Sequence, residues 1–233
     1  MFRILFVLLL FTISCGVKRD LVLNTDEKTT KIESSEVIIP KKVSTDIEVI
    51  VDDTSFVSLK KYDASFMYDM RYATQNNFLK QKVYDCDECY LRLKTVKLLI
   101  EANNDFKKLG YTLKLFDCYR PIDIQYKMWE IVSNPDYVAN PKTGSMHNRG
   151  SAIDVTLVDK NGVELNMGTD FDFFGEQAAH NYIKFSQEII KNRELLKNIM
   201  EKHQFKALNS EWWHYSVIDG GKDKVSNFKW NCN

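Results

Sequence analysis

The chain has 233 residues, 44% of them hydrophobic and 12% aromatic, enough to bury a sizeable core in one domain with sequence to spare. Its 32 basic residues offset 32 acidic ones, which excludes the global basic field that draws proteins to nucleic acid or anionic lipid. Electrostatic recognition by this chain is therefore local.

Met1 to Arg3 makes a short cationic start, Ile4 to Ile13 an almost unbroken apolar run, and Ser14-Cys15-Gly16 a small-residue cleavage site. The run is too short to span a bilayer as a mature helix. A cysteine directly behind such a core resembles the lipobox of bacterial lipoproteins, with Thr12 where leucine is usual. That resemblance implies a signal peptide over residues 1–15, lipid on Cys15, and membrane association in the periplasm or cell envelope. An ordinary secretory signal would export the chain as well. Residues 16–54 are rich in Lys, Glu, Asp, Ser and Thr and suit a polar tether, although Val37 to Ile39 and Ile47 to Val51 have strand-like apolarity.

From residue 55 to 233 the pattern becomes that of a folded domain. Leu93, Val96, Ile100, Phe106 and Leu109 recur at helical spacing, and Gly110 stands where a helix end takes a left-handed residue. Tyr111 to Asp117 alternates as a half-buried strand does, and Pro121 opens a helix through Trp129. Ala152 to Val158 reads as a strand, residues 176–203 as one long helix or two, and Trp213 to Ile218 as a final strand. The irregular succession predicts a single α+β domain with a mostly antiparallel central sheet flanked by helices.

Two segments carry the chemistry. His147-Asn-Arg-Gly-Ser-Ala-Ile-Asp154 and Glu211-Trp-Trp-His214 supply two imidazoles and two carboxylates, the set from which a catalytic zinc site draws three ligands and a general base. Seven residues separate His147 from Asp154, so the histidine belongs on a loop and the aspartate on the strand it enters, with Gly150 allowing the tight turn between them. Glu211 and His214 stand three apart, consistent with a bend leading into the last strand. His180 and His203 have no partner motif and read as surface or satisfied core residues.

Ser145-Met-His147-Asn-Arg-Gly150-Ser-Ala152-Ile-Asp154 resembles the S-x-H-x-x-G-x-A-x-D motif of the D-alanyl-D-alanine dipeptidase family of zinc peptidases, and Glu211-Trp-Trp-His214 is similar to its E-x-W-H motif. Tyr72 to Phe78, Asp117-Cys-Tyr-Arg120-Pro121 and Met167 to Phe174 resemble further family segments, so the likeness runs from about residue 56 to 219. It implies one Zn2+ per chain at the sheet, held by His147, Asp154 and His214, with Glu211 as catalytic base and acid and Arg120 stabilising the transition state. It also implies that Tyr72, Ser145 and Asp172 contact a small dipeptide substrate, Asp172 through the free ammonium group. Cys118 stands where the family more often has glycine.

Bland roles compete with some of these. Arg120 would otherwise brace the turn ahead of Pro121, Asp172 cap a following helix, and Tyr72 fill the core; Trp129, Trp212 and Trp213 read as packing. The expected reaction is hydrolysis of D-alanyl-D-alanine or a close small D-dipeptide outside the cytoplasm. The alternatives are a D,D-carboxypeptidase or endopeptidase on longer peptidoglycan peptides and, more distantly, a non-catalytic lipoprotein that binds wall fragments. No nucleic acid and no obligate protein partner is inferred. In an exported domain Cys86, Cys89, Cys118 and Cys232 allow three disulfide connectivities. The reading favours at least one bridge from the Cys86/Cys89 pair, with Cys118 as a partner that would steady the Arg120 segment.

Overall fold

The computed structural model describes residues 51–232, so the signal, lipobox and most of the tether expected from the sequence lie outside the described residues. In chain order the elements are β1 (Phe56–Ser58), α1 (Leu59–Tyr62), β2 (Met67–Tyr68), β3 (Tyr90–Arg92), α2 (Leu93–Lys108), β4 (Thr112–Asp117), α3 (Ile122–Ile131), β5 (Ala152–Val158), α4 (Gln187–Lys202), β6 (Phe205–Leu208) and β7 (Glu211–Val217). Single 3-10 turns stand at Arg71–Ala73, His147–Arg149, Glu176–Ala178 and Gly220–Lys222. No helix among the described residues is long and apolar enough to cross a membrane.

The fold is α+β, as expected. Five strands form a sheet in the order β2-β4-β5-β7-β6, antiparallel except for the β2/β4 pair, while β1 and β3 make a separate antiparallel pair. Strand alternation on β5 sends Ile153, Val155 and Leu157 to one face and Asp154 to the other. The apolar set joins Leu113 and Leu115 of β4, Val96, Leu99 and Phe106 of α2, and Leu196 and Met200 of α4 in one core. The opposite face is left for chemistry.

Helix α2 ends where Gly110, at φ +85°, leaves the helical region. Tyr111 N–H then bonds the Phe106 carbonyl, closing the helix with a left-handed residue. Leu109 consequently falls outside the helical stripe and is exposed, and Leu99 and Ala102 complete the buried face instead.

The helical stretch expected over residues 176–203, as one helix or two, is shorter. Only the 3-10 turn Glu176–Ala178 and α4 form, because the Arg193 guanidinium takes the carbonyls of Met167, Gln177 and Ala179. Ser186 then caps α4 by accepting from the Ile189 N–H. His180 therefore lies in a turn, its Nε2 buried without a hydrogen-bond partner among the described residues, rather than satisfied on a helix. His203 is satisfied, at 2.9 Å from Asp105.

Candidate active site

Register brings the polar residues of three strands into one row. Asp117 on β4 pairs with Asp154 on β5, and Asp154 pairs with His214 on β7. His147 arrives from the 3-10 turn before β5. Gly150 closes that turn at φ +71°, and a Cβ there would stand 2.4 Å from the Phe56 ring, so glycine is required.

The three donor atoms form a small triangle. Asp154 Oδ1 lies 3.0 Å from His214 Nδ1 and 3.4 Å from His147 Nε2, and the two imidazole nitrogens are 3.1 Å apart. Bonds of about 2.0–2.1 Å to a tetrahedral ion would set its ligands about 3.3 Å apart, so these atoms match one face of such a shell. Nδ1 of His147 donates to the Cys118 carbonyl at 2.7 Å, which leaves the Nε2 lone pair facing the other two donors. Two imidazoles and one carboxylate are a borderline-soft donor set that suits a zinc-like ion.

Electrostatics favour a cation at this point. Burial disfavours ionisation of Asp154, yet the charges and hydrogen bonds of His147 and His214 outweigh it and hold the carboxyl below the usual carboxylate range. Burial likewise opposes the His147 imidazolium, but Asp154 and Asp117 outweigh it and raise the ring's proton affinity. A carboxyl kept ionised beside a ring stabilised as a cation marks a pocket that favours positive charge, which a metal ion also supplies.

Glu211 opens β7, which begins two residues before the strand expected from Trp213, so Glu211 lies in the strand rather than on a bend leading into it. Ala207 of β6 pairs with Tyr215, yet the next residue, Leu208, pairs with Glu211, so β7 carries surplus residues opposite β6. That bulge breaks strict alternation and lets Glu211 and His214 line one cavity although they are three apart. Burial pushes the Glu211 carboxyl above its ordinary value, with Asp154 adding to the effect and His214 opposing it.

Arg120 is held from every side. Its Nη2 donates to Asp117 at 2.5 Å and its Nη1 to Gln125 at 2.9 Å, and the guanidinium lies 5.2 Å from the centre of the Tyr72 ring. It thus braces its own turn and still lines the cavity. Tyr72 is similarly double: buried in the core, it donates its hydroxyl to Asp172 at 2.9 Å. Asp172 adopts φ +60° and caps no helix, since Gly175 precedes the next turn. Burial, then the charge of Asp154, push its carboxyl well above the usual range. Ser145 is pinned by Asn148, whose Oδ1 accepts from both its N–H and its hydroxyl.

All eight residues singled out from the sequence, Tyr72, Arg120, Ser145, His147, Asp154, Asp172, Glu211 and His214, line a single cavity of about 370 Å3. Sequence reasoning missed the supports behind them. Asp117 is fully buried, accepts from Tyr84 at 2.7 Å, and grips Arg120. Asn148 donates to the Arg120 carbonyl at 2.8 Å. Asp117 lay inside a quoted motif, but nothing in its neighbours marked it as an anchor. Cys89 joins Cys118, as favoured for this pair, while Cys86 joins Cys232, a pairing the sequence left open.

The comparisons with known proteins agree with this geometry. A family model described as D-ala-D-ala dipeptidase matches residues 52–230. The chain is 31% identical over 166 residues to a D-alanyl-D-alanine dipeptidase of Escherichia coli, covering 71% of this chain and 86% of that protein. It is 30% identical over 191 residues to one of Enterococcus faecalis, covering 72% and 93%, and 27% identical over 187 residues to one of Streptomyces coelicolor, covering 70% and 91%. With a one-metal donor triangle, a neighbouring carboxylate and a matched sequence spanning nearly every described residue, this chain is a peptidase belonging to the D-alanyl-D-alanine dipeptidase family.

Proposed function

We propose that the enzyme hydrolyses D-alanyl-D-alanine, or a closely related small D-dipeptide, with one zinc ion and outside the cytoplasm. The convergence of the donor triangle, Glu211, Arg120 and Asp172 on one cavity carries this reading. His147, Asp154 and His214 would hold the ion, which when bound supplies Lewis-acid activation of water and of the scissile carbonyl.

The chain's own residues do the rest. Glu211 takes a proton from the attacking water and passes it to the departing amine as the C–N bond breaks; its raised pKa favours that return. The Arg120 guanidinium stabilises the charge that develops on the carbonyl oxygen. Asp172, steadied by Tyr72, pairs with the substrate's free ammonium group, and Ser145 contacts the dipeptide from the loop ahead of His147. A carboxylate committed to an ammonium group penalises substrates whose nitrogen is acylated, which favours dipeptides over longer wall peptides. The apolar leader supports export, with lipid on Cys15 and residues 16–54 as a tether for the catalytic domain over 55–233.

Zinc-loaded protein given D-alanyl-D-alanine, its L,L counterpart and an acylated muropeptide tests the proposal, with Glu211→Ala as control. Cleavage of the D,D-dipeptide alone is expected. Cleavage of the muropeptide alone would transfer the assignment to a carboxypeptidase or endopeptidase, and no cleavage with metal bound would sink it.

A further inference from the structure

We propose that the Cys89–Cys118 disulfide positions the metal ligand His147, so that metal affinity depends on this bridge being closed. The inference rests on the metal-centred reading above. The hydrogen-bond partner of His147 Nδ1 is the Cys118 carbonyl at 2.7 Å, with Asp117 Oδ2 farther off at 3.6 Å. Partners of this kind orient a ligating ring and sustain its basicity. Here the partner is a backbone carbonyl, so whatever holds residue 118 holds the ligand.

Residue 118 lies just beyond the end of β4, where the ladder to β5 has already shifted register between Leu115 and Asp117. Strand pairing no longer fixes it. Its restraints are the bridge to Cys89, with Cα atoms 5.4 Å apart, and its N–H to Asp117 Oδ1 at 2.9 Å. Tyr119 N–H to the Tyr90 carbonyl and Arg120 N–H to the His147 carbonyl follow. The bridge is buried, with Cys118 fully enclosed and Cys89 2% exposed, so it acts within the core rather than as a surface strap.

The second bridge provides the contrast. Cys86–Cys232 ties down the C-terminal segment, where Trp230 stacks on Tyr90 and donates to Cys86 Sγ at 3.2 Å. It spans a sequence separation of 146 against 29 for Cys89–Cys118. Chain-entropy reasoning therefore assigns it the larger share of stability, while its residues make no contact with the metal triangle. Stability and metal affinity should separate between the two bridges.

The experiment compares wild type with Cys89→Ser/Cys118→Ser and Cys86→Ser/Cys232→Ser, measuring zinc dissociation constants by chelator competition and apo-protein Tm. Loss of zinc affinity by about 10- to 100-fold is expected in the first variant, with wild-type affinity and lowered Tm in the second. Equal affinity in the first variant and wild type, or equal losses in both variants, would overturn the proposal. Failure of wild type to bind zinc would overturn the metal reading itself. Should the first variant not fold, the Cys86→Ser/Cys232→Ser protein is reduced with a water-soluble phosphine until alkylation mass confirms that Cys89 and Cys118 are free, and desalted without oxygen. The disulfide takes up two electrons and two protons as the phosphine becomes its oxide. Nitrogen NMR of the His147 ring should then lose its Nδ1–H preference and regain it on reoxidation; an unchanged ring would overturn the proposal.

Discussion

Glu211 and Arg120 line the same cavity but answer substitution differently. On the proposed mechanism, Glu211→Ala removes both proton transfers while leaving the donor triangle intact. We expect kcat to fall by about 10^3-fold or more with zinc affinity retained, checked by steady-state kinetics and metal titration. On the same mechanism Arg120→Ala strips a transition-state donor, at about 10^2- to 10^3-fold in kcat, and it leaves buried Asp117 without its cation. Breaking a buried pair costs about 3–5 kcal/mol, readable by urea unfolding. Adding Asp117→Asn should restore part of that stability and none of the rate; full recovery of kcat would remove Arg120 from the chemistry.

At the level of elements, the turn before β5 and the bulge in β7 place the ligands. Gly150→Ala forces a side chain into the left-handed region and into the Phe56 ring. The strain should destabilise the fold by more than about 1 kcal/mol and weaken zinc binding by displacing His147. A variant as stable and as tight as wild type would show that the turn tolerates a side chain. The motif around residues 147–154 was legible because glycine has a conformational meaning that survives without coordinates. The bulge was not, since surplus residues on β7 are defined only against β6. The shortened helix had the same cause: Arg193 takes carbonyls that lie 14 to 26 residues away in the chain.

For the whole molecule, His180 predicts an acid sensitivity. Its ring packs 6.0 Å from Tyr215, and burial, aided by Lys197 and Arg193, lowers its pKa from 6.5 to about 4. The unfolded chain takes up a proton near pH 6.5 while the folded chain resists until about 4. Stability from this group is full above pH 6.5 and declines as pH falls through that window, by up to about 2 kcal/mol after allowing for partial exposure. Urea unfolding of His180→Gln beside wild type checks this: the difference between them should shrink or reverse from pH 7 to pH 4, and a pH-independent difference would count against it.

The amino-acid sequence alone picked out the candidate metal site, because donor type, donor spacing and the glycine between His147 and Asp154 are local properties. It also determined the α+β class, through apolar periods of about 3.6 and 2 that each element must present to a shared core. Only the tertiary structure decided how Asp117, Asp154 and His214 align across three strands, which cysteines pair, and that Asp117 anchors Arg120. Those facts depend on register and on contacts between residues distant in the chain, which become defined once the strands have paired and the core has closed.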